Sequence, residues 1–207
     1  MTLAEQLRVS LERSRHREHE TTIYYSDMRD TEFPAEEPGV DAAVLIPVIA
    51  RPEPTVLLTR RNADMSSHAG QVAFPGGKVD PDDDGPVSTA LREAEEEIGL
   101  KPRHVEIVGT TDLYRTGTGF HITPVIGVIP PDLPLAPHEA EVAAIFEVPF
   151  DVLFTPANYS EKSLEWQGRM RHFFEMYWEE QRIWGATAAI IVNLAQRFDL
   201  GRLELDR

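Results

Sequence analysis

Apolar residues recur along this chain in two alternating patterns. Leu3, Leu7, Val9 and Leu11, set among charged residues, predict a helix over residues 2 to 18 with an uneven apolar face. Residues 19 to 39 are polar and carry Pro34 and Pro38, which predicts a loop or arm. From Asp41 the character changes. Ala42-Ala43-Val44-Leu45-Ile46 is an apolar run of strand length. Arg51-Pro52-Glu53-Pro54 predicts a turn, and Thr55-Val56-Leu57-Leu58-Thr59-Arg60 a second strand. A short strand follows at Gln71 to Phe74, ended by Pro75-Gly76-Gly77.

The period then shifts to that of a helix. Val87, Ala90, Leu91, Ala94 and Ile98 share one face. Pro86 suits the first turn, the acidic stretch Asp80 to Asp84 suits the N-terminus, and Gly99 closes the C-terminus. Further strands are predicted at 105–114, 119–129 and 142–148, and a strand pair at 159–166 and 169–178. Ile183 to Phe198 predicts a terminal helix, with Trp184 in the core. Mixed strands and few helices give an α/β (α+β) fold, with a central mixed sheet covered by helices. Three segments are expected: residues 1–39 as helix and arm, 40–199 as the main domain, and 200–207 as a tail.

Composition narrows the chemistry. Hydrophobic residues make up 42% of the 207, enough for a sizeable core. The chain has no cysteine, which excludes disulfides, zinc–thiolate sites and thiol nucleophiles. Its N-terminus lacks a signal-peptide pattern and no apolar run approaches bilayer length, so a cytoplasmic protein is expected. The formal net charge of −15 repels nucleic acid and anionic membranes. It repels a phosphorylated small molecule too, unless metal ions or clustered cations compensate.

The predicted helix supplies the means. Glu93, Glu96 and Glu97 stand at i, i+3 and i+4, with their carboxylates on one face; Glu95 lies elsewhere and is expected to be solvated. Each like-charge pair costs about 0.2–0.5 kcal/mol, and the helix C-terminus disfavours the anions further. A solvated acidic face is the default explanation of a bare glutamate run. The surrounding order (strand, Gly-Gly turn, loop, Arg-Glu-x-x-Glu-Glu, glycine, aliphatic) favours a hard, oxygen-bound cation such as Mg²⁺ or Mn²⁺.

That order resembles the Nudix box, G-x5-E-x7-R-E-U-x-E-E-x-G-U, where U is aliphatic. Arg92, Glu93, Ala94, Glu96, Glu97, Gly99 and Leu100 fall on its second half. The first half departs: Gly77 to Arg92 is one residue too long, and the first acid is Asp83 or Asp84 in place of glutamate. The resemblance implies a Nudix fold. It also implies metal ligation by Glu93, Glu96 and Glu97, with the Gly77 carbonyl as a further ligand, and glutamates oriented by Arg92. The cations would neutralise a diphosphate and acidify an attacking water. Glu93 and Glu141 are the two candidates for the general base.

The segment before the box points to a substrate. Leu57-Leu58-Thr59-Arg60-Arg61 and His68-Ala69-Gly70-Gln71-Val72-Ala73-Phe74-Pro75-Gly76-Gly77 resemble the coenzyme A pyrophosphatase signature, L-L-T-x-R-S-x-x-L-R-x-H-x-G-Q-V-x-F-P-G-G. Asn62, Met65 and Ser66 depart from it. Thr116 to Phe120, Glu141 to Pro149 and Ile183 to Ala188 also resemble segments of that family. The implied reaction cleaves coenzyme A or a derivative to 3′,5′-ADP and 4′-phosphopantetheine, and the resemblance allows a homodimer. Arg60, Arg61, Lys78 and Arg115 form the expected anion-binding set, against the alternative of ordinary surface ion pairs. His68, Gln71, Gly76 and Gly77 join the substrate-binding candidates, with a structural role for His68 as the alternative. Tyr114 and Phe120 either stack on adenine or belong to the core. Two rival functions are a broader nucleoside-diphosphate hydrolase, acting on ADP-ribose, NADH or nucleoside triphosphates, and a non-catalytic nucleotide-sensing domain.

Overall fold

The computed structural model describes residues 1–15, 39–65, 68–166 and 168–198. Of the arm expected at 19–39 only residue 39 is described; the rest of it, the end of the helix expected at 2–18, the whole expected tail at 200–207 and Ser66 lie outside the described residues.

A mixed sheet forms the centre. Strand β1 (Val40–Ile49) runs parallel to β7 (Phe120–Ile129) over ten register pairs, Val40↔Phe120 to Ile49↔Ile129. Both strands are buried on two faces, which explains their nearly unbroken apolar sequence. The other edge of β1 is shared. Its end pairs with β2 (Thr55–Arg61) at Val48↔Val56, and its beginning pairs with β4 (Gly76–Lys78) at Ala42↔Lys78 to Val44↔Gly76. Between them only Leu45 donates across the gap, to the Pro75 carbonyl at 2.8 Å. Pro47, which has no N–H to offer, falls in that interval. Thus β2 and β1 splay apart, and β3 (Val72–Ala73) with β4 is wedged between them. Strands β5 (Glu106–Thr110) and β6 (Tyr114–Arg115) pair with β7, and β8 (Val142–Pro149) with β2.

Helix α2 (Pro86–Ile98) covers one face of this sheet. Ala90, Ala94 and Ile98 pack against Ala43, Leu45, Leu57 and Val125. Gly99, at φ 70°, ends the helix in the left-handed conformation, and Gly99 and Leu100 return their N–H groups to Glu95 and Ala94. The opposite face holds the larger core, with α1 (Leu3–Arg15), the short α3 (Phe150–Leu153) and α4 (Gly185–Arg197). The expected mixed sheet between helices is therefore present. Among the described residues no helix is long and apolar enough to cross a membrane.

Four expectations are corrected. Gly76-Gly77 does not end a strand but forms β4, because β1 supplies its hydrogen-bonding edge. The strand expected at 105–114 is broken at 111–113 into β5 and β6. Ile183 and Trp184 belong to β11 (Gln181–Trp184), and α4 begins only at Gly185, whose φ of 64° turns the chain. No acidic side chain caps α2; the acid before it serves another purpose, described below. Strands β9 (Ser160–Trp166), β10 (Arg169–Trp178) and β11 form a second, three-stranded sheet.

Candidate active site

The wedge of β4 brings the chain against the acidic face of α2. At the helix N-terminal half, Arg92 gathers the approach loop. Its Nε and Nη2 donate to the two oxygens of Asp83 at 3.1 and 2.9 Å, and Nη2 also reaches the Lys78 carbonyl at 3.0 Å. Thr89 Oγ1 and the Asp80 N–H donate to the same carboxylate. Asp83, not Asp84, is thus the acid that anchors the loop, although it is an aspartate in a loop one residue too long. The guanidinium holds the Asp83 carboxyl well below the usual carboxylate range.

The glutamates differ in environment. Arg92 Nη1 donates to Glu93 at 2.9 Å and to Glu96 at 3.2 Å. Burial raises the Glu93 carboxyl, with Arg92 opposing. Glu96 is exposed. Glu97 is only 3% exposed, and burial pushes its carboxyl up to about 7. Arg61 Nη1 at 3.5 Å and the Gly76 N–H at 3.3 Å pull in the other direction without restoring it. Glu95 points away and pairs with Lys101 at 2.7 Å, so it is half-exposed rather than freely solvated. Gly76 is required sterically, because a Cβ there would strike the Ala43 carbonyl and the Val44 backbone; at Gly77 a Cβ would meet the movable Glu93 carboxylate.

The donor set is all oxygen and anionic, which fits a hard divalent cation. A buried carboxyl with a raised pKa is the kind of group such an ion relieves. Among the described residues, no three carboxylate or imidazole groups converge at ligand range. The reason is visible: Arg92 holds Glu93 and Glu96, while Arg61 and Gly76 hold Glu97. A bound cation would share Glu93 and Glu96 with Arg92 through their other oxygens and would have to displace a contact of Glu97.

Glu141 sits in the loop after His138, which is tied to the helix end. Ala136 N–H donates to the Ile98 carbonyl and His138 N–H to the Glu97 carbonyl, at 3.1 and 2.8 Å. The charge of Glu141 contributes to raising both Glu93 and Glu97, although its side chain is half-exposed and faces His138 Nδ1 at 3.7 Å.

Beyond the glutamates a cavity of about 510 Å³ opens over β4. Of the expected substrate-binding residues, Arg61, His68, Gln71, Gly76, Gly77 and Lys78 line it. Arg60 and Arg115 do not. His68, at φ 56°, faces Gln71 Oε1 at 3.0 Å through Nδ1, so its structural role and its place at the cavity coexist. Tyr114 is buried and Phe120 partly so, and both line the cavity. Trp184, expected in the core, is instead partly exposed on the cavity wall. Sequence reasoning missed it because Ile183-Trp184 reads as the apolar start of α4. The turn at Gly185 was the available signal.

Comparison with known proteins agrees with these features. The NUDIX domain model matches residues 39–172. An uncharacterized Nudix hydrolase, NudL, of Yersinia pestis (strain Pestoides F) is 45% identical over 159 residues, covering 77% of this chain and 80% of the relative. The NudL protein of Yersinia pseudotuberculosis serotype O:1b (strain IP 31758) matches equally. Among solved structures, a Nudix hydrolase from M. smegmatis, RenU, is 28% identical, covering 55% of this chain and 73% of its own, at a TM-score of 0.48.

Proposed function

Because this chain belongs to the Nudix hydrolases, enzymes that cleave pyrophosphate bonds in nucleoside diphosphate derivatives, we propose that its substrate is coenzyme A or a thioester of it. The products are 3′,5′-ADP and (acyl-)4′-phosphopantetheine. One observation carries the reading. Three stretches distant in sequence resemble coenzyme A pyrophosphatases: 68–77, 116–120 and 183–188. All three contribute walls to the one cavity beside the glutamates.

Mg²⁺ or Mn²⁺ would be held by Glu93, Glu96 and Glu97, with the Gly77 carbonyl beside them. When bound, it neutralises the diphosphate and lowers the pKa of the attacking water. Arg61 and Lys78 bind phosphate oxygens from the cavity side. Arg92 fixes the rotamers of Glu93 and Glu96. The proton of the attacking water goes to Glu93 or Glu141. Glu93 is the more buried of the two, and Glu141 the freer of arginine contact.

A panel of coenzyme A, acetyl-CoA, ADP-ribose, NADH and nucleoside triphosphates, with mass-spectrometric product analysis, tests the reading. Faster turnover of ADP-ribose than of coenzyme A at equal concentration would overturn it. The broader hydrolase is the second reading, favoured by Ser66 where the coenzyme A signature has arginine.

A further inference from the structure

The cavity floor crosses the sheet from β3, through β4 over β1, to β7, and its two ends differ in charge. At the β7 end, Lys78 Nζ stands over the Phe120 ring, 5.7 Å from its centroid. Among the described residues no carboxylate pairs with this ammonium. At the β3 end, Thr187 Oγ1 donates to the Val72 carbonyl and holds the start of α4 over β3. Trp184, Val72, Phe74 and Ile190 make the wall under α4 apolar; Arg61, which also lines the cavity, turns its guanidinium toward Glu97 at 3.5 Å, and His68 and Gln71 bond each other.

The cation near Trp184 is ion-paired and does not line the cavity. Arg182 lies behind the indole, with its guanidinium 4.7 Å from the Trp184 centroid and 5.8 Å from Phe173. Its Nε and Nη2 reach Glu175 Oε2 at 2.8 and 2.6 Å. Phe173 meets Trp184 edge-on at 5.6 Å. The indole is thereby propped from behind, and the surface it offers the cavity is flat, rigid and without net charge.

Coenzyme A is two-ended in the same sense. On one side of its diphosphate is an adenosine bearing a dianionic 3′-phosphate; on the other is the neutral pantetheine arm. We propose that the cavity orients the substrate by this charge difference: the 3′-phosphoadenosine lies at Lys78 and Phe120, and the pantetheine arm against Trp184. Gly76 and Gly77 lie between, beside the glutamates, where the diphosphate must sit. The proposal rests on the coenzyme A reading. It makes Lys78 and Trp184 specificity-determining residues for opposite halves of the molecule.

The test uses the two products as separate probes, with Mg²⁺ present and binding verified by calorimetry. Trp184 emission is isolated as the difference between wild type and Trp184→Phe. The expected result is that 4′-phosphopantetheine changes this emission and 3′,5′-ADP does not. Lys78→Gln should weaken 3′,5′-ADP about ten-fold, the size of one charge-assisted hydrogen bond, and leave 4′-phosphopantetheine affinity in place. The opposite pattern, or a Trp184 response to both probes, overturns the orientation. Failure of both products to bind while ADP-ribose binds overturns the coenzyme A reading itself, and the orientation with it. A second measurement needs no tryptophan variant. In Lys78→Gln the preference for coenzyme A over dephospho-coenzyme A, which lacks only the 3′-phosphate, should fall about ten-fold. Equal losses on both substrates would assign Lys78 to the diphosphate and overturn the proposal.

Discussion

Two arginines hold the acidic face of helix α2, Arg92 from within the helix and Arg61 from β2, and the two grips differ in kind. At the N-terminal half, Arg92 is saturated: Asp83, Glu93, Glu96 and the Lys78 carbonyl accept from it at 2.9 to 3.2 Å. At the C-terminal half, Arg61 makes one long contact to Glu97 at 3.5 Å, and its buried Nε has no hydrogen-bond partner among the described residues. The first arrangement completes itself and behaves as scaffold. The second leaves a buried carboxylate and a cavity-lining guanidinium both under-satisfied, which is costly unless a ligand finishes the set. Completeness separates the arginine that orients the glutamates from the arginine left to meet a ligand.

Variants of Glu97 should break this contrast most sharply. Glu97→Gln is expected to lower Mg²⁺-dependent turnover about 1,000-fold with an unchanged circular dichroism spectrum. Activity within a few-fold of wild type would remove this carboxylate from metal binding. At the other grip, Asp83→Asn keeps the shape and removes the charge. It should reduce kcat/KM about 10- to 100-fold, as second-layer partners of metal ligands do, while Mn²⁺ binding seen by electron paramagnetic resonance persists. A neutral Asp83→Asn would show that the Arg92 cluster is not needed to orient the glutamates.

The raised Glu97 carboxyl gives a pH test of the same contrast. Between pH 4.5, the ordinary value, and about 7, the folded protein holds a proton that the unfolded chain releases. The stability this contributes is full below the ordinary value and is lost as pH rises through about 7. It amounts to roughly 3 kcal/mol, since each pKa unit is about 1.4 kcal/mol. Metal-free protein should therefore melt at a lower temperature at pH 8 than at pH 5.5 by this contribution, and Glu97→Gln should flatten the dependence. A metal ion must displace the same proton, so Mg²⁺ affinity should fall about ten-fold per pH unit below pH 7. Isothermal titrations at pH 6 and pH 8 with equal affinity would contradict this. Smallest of all, Glu95→Gln removes only the surface pair with Lys101. It should change stability by less than about 0.5 kcal/mol and leave kcat unaltered. A large loss of activity there would mean that the ligand face of α2 has been misread.

Much of this was legible in the residues. The apolar spacing from Val87 to Ile98, Pro86 and Gly99 gave α2 nearly to its ends, because local periodicity and caps decide a helix. The shared face of Glu93, Glu96 and Glu97 followed from that spacing, and their reading as metal ligands from the resemblance to the Nudix box. What was hidden depended on partners distant in sequence. Gly76-Gly77-Lys78 has no strand propensity of its own and is extended only because β1 offers an open edge. Whether Asp83 or Asp84 serves Arg92 depended on the path of a loop. Burial of Glu97 followed from the wedge of β4, which no period records. Trp184 was assigned to the core because an aromatic beside an apolar helix usually is.

The backbone bonds that join residues 136 and 138 to the end of α2 set where this chain can change length. Upstream, Pro130 to Asp132 is an exposed turn whose extension costs little closure entropy, whereas Leu133 and Leu135 pack half-buried against the core under α2. Downstream of Ala136, a single added residue would slide Glu141 out of step with Glu97. Insertions should therefore accumulate before residue 133 and stop there, so the boundary between a tolerant and an intolerant stretch of sequence falls within one short loop.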